Sequence, residues 1–163
     1  MANNTEQILV KIPGNQQSHY PITIGSELLE TILTKTEKNW PEKKLFIVTD
    51  ENLINSGHLG KLLAGKKIDF YSIHPPGEIS KHINTAIEII EQMEKAYFGR
   101  DAMIIALGGG TVGDIAGFAA AIYKRGIPAI QIPTTTVAQA DSSVGGKTGV
   151  DSTISKNAFG AFH

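Results

Sequence analysis

Residues Ala106 to Phe118 read ALGGGTVGDIAGF, an apolar strand that runs through clustered glycines into a helix-like segment. Gly108, Gly110 and Gly113 satisfy G-x-G-x-x-G. In that setting glycines let the backbone approach a pyrophosphate, whose charge the helix N-terminus attracts. The fingerprint is incomplete, because the acidic residue expected about 20 positions onward falls in the uncharged QIPTT. Asp50, which ends the apolar run KLFIVTD, is an alternative ribose ligand, since parallel strands end along one common edge. The blander readings stand beside these: a tight strand-to-helix turn for the glycines, a helix cap for Asp50. Asp114 near the start of the helix is favoured by the helix dipole but would repel a phosphate at the same spot. As a ligand it would accept hydrogen bonds from a hydroxyl or amide and leave phosphates to the glycine amides.

Working outward, QILVKI and YPITI read as two strands joined through the turn-rich PGNQQSH, an opening hairpin. Leu28, Leu29, Ile32 and Leu33 follow Ser26, a candidate N-cap, and predict a helix before the strand KLFIVTD. Asn52 to Ala64 predicts a second helix and KIDFYSI the next strand. Ile83, Ala86, Ile87, Ile90, Met93 and Tyr97 mark one face of a long helix ending at Gly99. AMIIAL, a helix from Asp114 to Gly126 and the strand IPAIQIP complete the series. Repeated strand-helix alternation predicts a parallel α/β sheet with helices on both faces.

The composition sets limits on partners. The chain has 163 residues, 41% hydrophobic, enough for one domain with its own core. Fifteen Lys and Arg against 16 Asp and Glu give a net charge of -1, which favours neither nucleic acid nor an anionic membrane as partner. No cysteine is present, so disulfides and thiolate metal sites are excluded. The polar opening MANNTEQ lacks a signal-peptide pattern and AMIIAL is too short to span a bilayer, so a cytoplasmic protein is expected.

A second glycine-bearing stretch, DSSVGGKT at 141–148, has Asp141 where a P-loop requires glycine, so no Walker-type site is inferred. Asp141, Ser142, Ser143, Lys147 and Thr148 nevertheless gather a carboxylate, hydroxyls and an ammonium on an adaptable backbone. That inventory suits a polyhydroxylated anion, and a polar surface turn is the alternative. His19, His58, His74, His82 and His163 show no paired metal-ligand spacing and are expected to be structural or surface residues.

GGGTVGDIAGFAAAIYKRG, then IQIPTT, DSSVGGKTGVD and KNAFGAF, with VTDEN and PPGEISK upstream, resemble in order and spacing the 3-dehydroquinate synthases. The resemblance implies a Rossmann-like NAD-binding domain over residues 1–163, with a helical metal-binding domain after it. It implies cyclisation of 3-deoxy-D-arabino-heptulosonate 7-phosphate with phosphate release, NAD being recycled. By the same resemblance, Asp50, Asn52, Glu78, Lys81, Gly109, Gly110, Gly113, Asp114, Thr134, Thr135 and Lys156 would hold the cofactor. Asp141, Lys147 and Asn157 would hold substrate, Arg125 would reach a neighbouring subunit of a homodimer, and zinc or cobalt would bind outside this chain. Related polyol or alcohol dehydrogenases and a stand-alone nucleotide-binding module are the alternatives.

Overall fold

In a computed structural model the described residues are 5–11 and 19–163. The chain opens with an antiparallel hairpin of β1 (Glu6–Lys11) and β2 (His19–Ile24). The strands of this hairpin are as expected, and its turn-rich connection lies outside the described residues, as does MANN.

The body is α1 (Leu29–Asn39), β3 (Lys44–Asp50), α2 (Glu51–Asn55), α3 (His58–Leu63), β4 (Phe70–Ile73), α4 (Ile83–Lys95), β5 (Ala102–Gly108), α5 (Gly110–Ile122) and β6 (Ala129–Pro133). The four strands form one parallel sheet in the order β4-β3-β5-β6. Alternation along β3 and β5 sends their side chains to two cores. Phe46, Val48, Ile104 and Ala106 face α4 and α5 on one side. Leu45, Ile47, Met103, Ile105 and Leu107 face Leu33 of α1 and Leu59 and Leu62 of α3 on the other. This is the two-faced α/β architecture that the alternation predicts. On the first side, Phe98 stacks edge-on against Phe46 with ring centroids 5.2 Å apart, and the buried Tyr123 hydroxyl donates to the Phe98 carbonyl at 2.6 Å.

Because β4 and β5 lie on opposite sides of β3, the connections leaving β3 and β5 diverge to opposite faces. Their carboxyl ends therefore frame a topological switch point, where ligands of open α/β sheets collect.

Several boundaries differ from those read off the periodicity. Leu28, not Ser26, precedes the first turn of α1, and no side chain caps it. The single helix expected over Asn52 to Ala64 is two short ones, because Gly57 takes a left-handed conformation with φ 80 between them. α4 stops at Lys95 and Tyr97 turns left-handed, so the long helix ends before Gly99. The glycine loop is itself the first turn of α5, and the Asp114-to-Gly126 helix gives way after Ile122 to a 3-10 turn, Tyr123–Arg125. There Lys124, Arg125 and Gly126 all have positive φ. Beyond β6 come α6 (Thr136–Ala140) and an antiparallel pair, β7 (Lys147–Val150) and β8 (Phe159–Phe162), which the strand-helix pattern did not anticipate. Among the described residues no helix is long and apolar enough to cross a membrane.

α5 lies unusually near its neighbours. A Cβ at position 113 would stand 2.8 Å from Gln131 Oε1, and one at 117 would stand 2.4 Å from Thr148 Cγ2. Replacing a helical glycine by alanine normally gains about 1 kcal/mol, but forced overlap in a packed interior costs about 1–3 kcal/mol. Gly117→Ala is therefore expected to lower unfolding free energy, and Gly117→Ala combined with Thr148→Ser, which lacks the clashing methyl, to recover most of the loss in urea titrations. Equal stability of the two variants would show that the contact does not set the packing.

Candidate functional site

The first turn of α5 begins at Gly109, whose backbone is extended and whose position offers no capping side chain. The N–H groups of a helix's first turn have no partner within the helix. Here they lie at the switch point with the positive end of the helix dipole behind them. The glycines serve close approach rather than unusual dihedrals: a Cβ at 108 would fall 2.5 Å from the Val112 side chain, and one at 109 would fall 3.3 Å from Thr135 Cγ2. Thr134 N donates to the Gly108 carbonyl at 2.9 Å, and the Thr135 side chain caps α6. Gly109, Gly110, Gly113, Thr134 and Thr135 are thus gathered around one loop.

The segment after β4 closes one side. Ser80 Oγ donates to the Pro75 carbonyl at 2.6 Å and Thr85 Oγ1 to the Ser80 carbonyl at 2.8 Å, pinning the turn that carries Glu78 and Lys81. Lys81 Nζ lies 2.6 Å from Asp114 Oδ2, with side-chain exposures of 9% and 19%. Glu78 receives Thr111 Oγ1 at 3.3 Å on one carboxylate oxygen and Lys156 Nζ at 3.1 Å on the other. Glu78, Lys81, Asp114 and Lys156 therefore meet beside the glycine turn, cations paired with anions.

Asp50 and Asn52 stand at the end of β3. Asp50 is buried, and its Oδ1 accepts from Leu53 N at 3.1 Å, so it does cap a helix, as the blander reading had it. Asn52 is exposed in α2.

On the far side of Asp114, a cleft of about 390 Å³ opens between α5 and the β7–β8 pair. Asp114, Asp141, Ser142, Lys147, Thr148 and Asn157 line it. Asn157 is placed there by a folded loop: Ser152 Oγ accepts from Ile154 N and Ser155 N at 3.1 and 3.0 Å, and Asn157 N, at positive φ, donates to Asp151 Oδ1 at 2.6 Å. Asp151 N in turn donates to the Lys81 carbonyl at 2.8 Å, tying this loop to the Glu78 turn. Asp141, Lys147 and Asn157, read as one substrate group, line one cleft. Arg125 does not line it: it is exposed past the C-terminal end of α5, at the opposite end of the helix from the glycine turn.

Three participants escaped the sequence reading: Thr111, Asp151 and Gln131. Gln131 Nε2 donates to the Gly113 carbonyl at 3.1 Å. Its signal was present, as the one polar side chain inside IPAIQIP. Among the described residues no three His, Asp or Glu side chains gather as a metal site.

Burial pushes the Asp114 carboxyl above its ordinary value, and the nearby Asp141 and Glu78 charges act in the same direction, while Lys81 opposes them. The 2.6 Å contact with Lys81 taken alone would suggest the reverse. Desolvation prevails because the carboxylate is largely removed from water and has two like charges for neighbours. A carboxyl whose folded pKa is raised stabilises the fold fully below its unfolded pKa and loses that contribution as pH rises through the folded value. Asp114→Asn, which fixes the neutral form, is therefore expected to match the native chain below the ordinary carboxylate value of 3.8. It should exceed the native chain increasingly as pH rises above that value. Urea unfolding at about pH 3.5, 5 and 7 checks this; a native-chain advantage at pH 7 would mean that Lys81 outweighs burial.

Comparison with known proteins shows which family the chain resembles. The family model for the 3-dehydroquinate synthase N-terminal region matches residues 71–163. A 3-dehydroquinate synthase of Ruminiclostridium cellulolyticum is 45% identical over 154 residues, covering 91% of this chain and 42% of that protein. One from Symbiobacterium thermophilum is 40% identical over 152 residues, covering 90% and 42%. Among solved structures, 2-deoxy-scyllo-inosose synthase complexed with carbaglucose-6-phosphate, NAD+ and Co2+ superimposes with a TM-score of 0.80 at 27% identity, covering 98% of this chain and 43% of that one. The chain thus spans about two-fifths of the length of the relatives it matches. With its glycine turn, its Glu78 and Lys81 segment and its 141–157 cleft all inside the matched region, the chain belongs to the 3-dehydroquinate synthase family.

Proposed function

We propose that this chain is the NAD-binding part of a 3-dehydroquinate synthase, converting 3-deoxy-D-arabino-heptulosonate 7-phosphate to 3-dehydroquinate with release of phosphate. The observation that carries this reading is the uncapped start of α5 at the switch point, opening directly onto a cleft of hydroxyl- and anion-binding side chains. Two structural neighbours, the inosose synthase and a 2-epi-5-epi-valiolone synthase from Streptomyces hygroscopicus, have NAD+ bound.

The residues present fit that cofactor. The amides at Gly109 and Gly110 take the pyrophosphate, Thr134 and Thr135 flank it, and Asp50 and Asn52 stand at the edge toward the adenosine ribose. Lys81 holds Asp114 at the border between loop and cleft. Glu78 and Lys156, paired with each other here, supply a carboxylate and an ammonium to the same ligand. When bound, NAD supplies a hydride acceptor that becomes the donor again within one turnover, so its position must persist through the reaction. Lys147 meets the substrate's anionic groups, while Asp141 and Asn157 orient its hydroxyls.

Those two neighbours also hold a divalent metal, Co2+ in one and Zn2+ in the other. The described side chains of this chain do not converge to bind one. The same reading places the metal in a helical second domain within the remaining length of the complete protein. It also has the complete protein work as a cytoplasmic homodimer, with Arg125 serving the neighbouring subunit, and has this chain alone bind cofactor without turnover.

The test is turnover by the complete protein. It should release phosphate with no net rise in NADH absorbance, and Lys147→Ala should lower kcat/KM by roughly 10- to 100-fold, the worth of one charge-assisted hydrogen bond. Stoichiometric accumulation of NADH would instead identify a polyol or alcohol dehydrogenase.

A further inference from the structure

The polar side chain set into the α5-facing surface of β6 has a task that neither the cofactor reading nor the core explains. β6 reads AIQIP, and it pairs Ala129 with Ile104, Ile130 with Ile105 and Gln131 with Ala106. On this face the sheet presents Ile104, Ala106 and Ala129 to α5, an apolar setting in which an unpaired carboxamide would be costly. Gln131 avoids that cost by donating from Nε2 to the carbonyl of Gly113 at 3.1 Å.

Its position is tightly bounded. A Cβ at Gly113 would meet Gln131 Oε1 at 2.8 Å, and one at Gly117 would meet Gln131 Nε2 at 3.3 Å. The carboxamide therefore lies in the space left by two missing side chains on successive turns of α5. The Gly113 carbonyl belongs to the peptide unit that carries the Asp114 N–H, so the hydrogen bond restrains the backbone from which Asp114 reaches Lys81.

The geometry points to Gln131 as a positioning residue: by holding the Gly113–Asp114 peptide against β6 it fixes the depth of the first turns of α5, and with it the anion-binding amides and the Asp114–Lys81 pair. Its function for the cofactor rests on the reading proposed above, whereas its hold on the peptide does not. Gln131 touches neither cofactor nor substrate in this account.

Two variants test it in this chain. Gln131→Met keeps length and volume but cannot donate. It should accelerate amide hydrogen exchange at 113–118 selectively, leaving β3 and β5 amides unchanged, and weaken NAD binding about tenfold, the worth of one hydrogen bond. Gln131→Glu places a carboxylate against the Gly113 carbonyl at neutral pH, yet its protonated form donates as the carboxamide does. Both exchange protection and NAD affinity in this variant should therefore recover as pH is lowered and the introduced carboxyl takes up its proton. The native chain and Gln131→Met, titrated in parallel, should show no such recovery.

Uniformly faster exchange throughout the chain, or Gln131→Met binding NAD as the native chain does, overturns the positioning role. If the native chain binds no NAD while exchange at 113–118 still responds selectively, the hold on the peptide stands and the cofactor reading falls.

Discussion

α5 lies this deep at the sheet's switch point because its inner face carries no side chains at 113 and 117. A Cβ there would stand 2.8 Å from Gln131 Oε1 and 2.4 Å from Thr148 Cγ2, so a side chain at either position would have to displace its neighbour or the helix. Everything that gives the site its chemistry follows from that depth. It brings the unpartnered amides of the first turn to the common edge of the strands, sets Asp114 against Lys81, and lets β7 pack so near that the cleft has α5 as one wall. A helix further out would still bury apolar area, but its amides and Asp114 would no longer share an edge with the 141–157 segment.

The second constraint is electrostatic. Lys81, Lys147 and Lys156 face Asp114, Asp141 and Glu78 across the loop and cleft. Lys81 and Lys156 are already paired, which leaves Lys147 as the cation lining the cleft among the described residues. Asp114 is kept where burial disfavours its charge, a cost to stability of the kind that sites accept for function. Its partner Lys81 is held by the Glu78 turn, and that turn is joined through Asp151 to the loop that presents Asn157. The Glu78–Lys81 turn and the loop that presents Asn157 to the cleft are thus linked by a short chain of hydrogen bonds rather than placed independently.

Much of this was legible in the sequence. The apolar LFIV within KLFIVTD and the continuous AMIIALG specify buried central strands, and strand-helix alternation then leaves a parallel sheet as the consistent solution. The glycine spacing located the loop, and order and spacing of later motifs named the family. What stayed hidden was conformational or long-range. Gly57 splits a helix whose apolar pattern reads as continuous, because periodicity does not register a left-handed residue. The β7–β8 pair is short, glycine-bearing and partly polar, so it carries no strong alternation. Asp50 had two sequence readings, and its cap on α2 became visible only with Leu53 N in place. The links of Glu78 to Thr111 and of Gln131 to Gly113 join residues 33 and 18 positions apart, beyond any local pattern.

In the function proposed, the start of α5, with the turn after β4 and the end of β3, forms one cofactor site. Backbone amide NMR of this chain during titration with NAD tests it most directly. The account predicts saturable shifts confined to 50–52, 77–81, 108–114 and 134–135, spreading to 156 as Lys156 exchanges its Glu78 contact for the ligand. Binding that shifts the 141–149 and 159–162 amides while leaving 108–114 untouched would contradict it, because the ligand would then occupy the cleft and not the helix start.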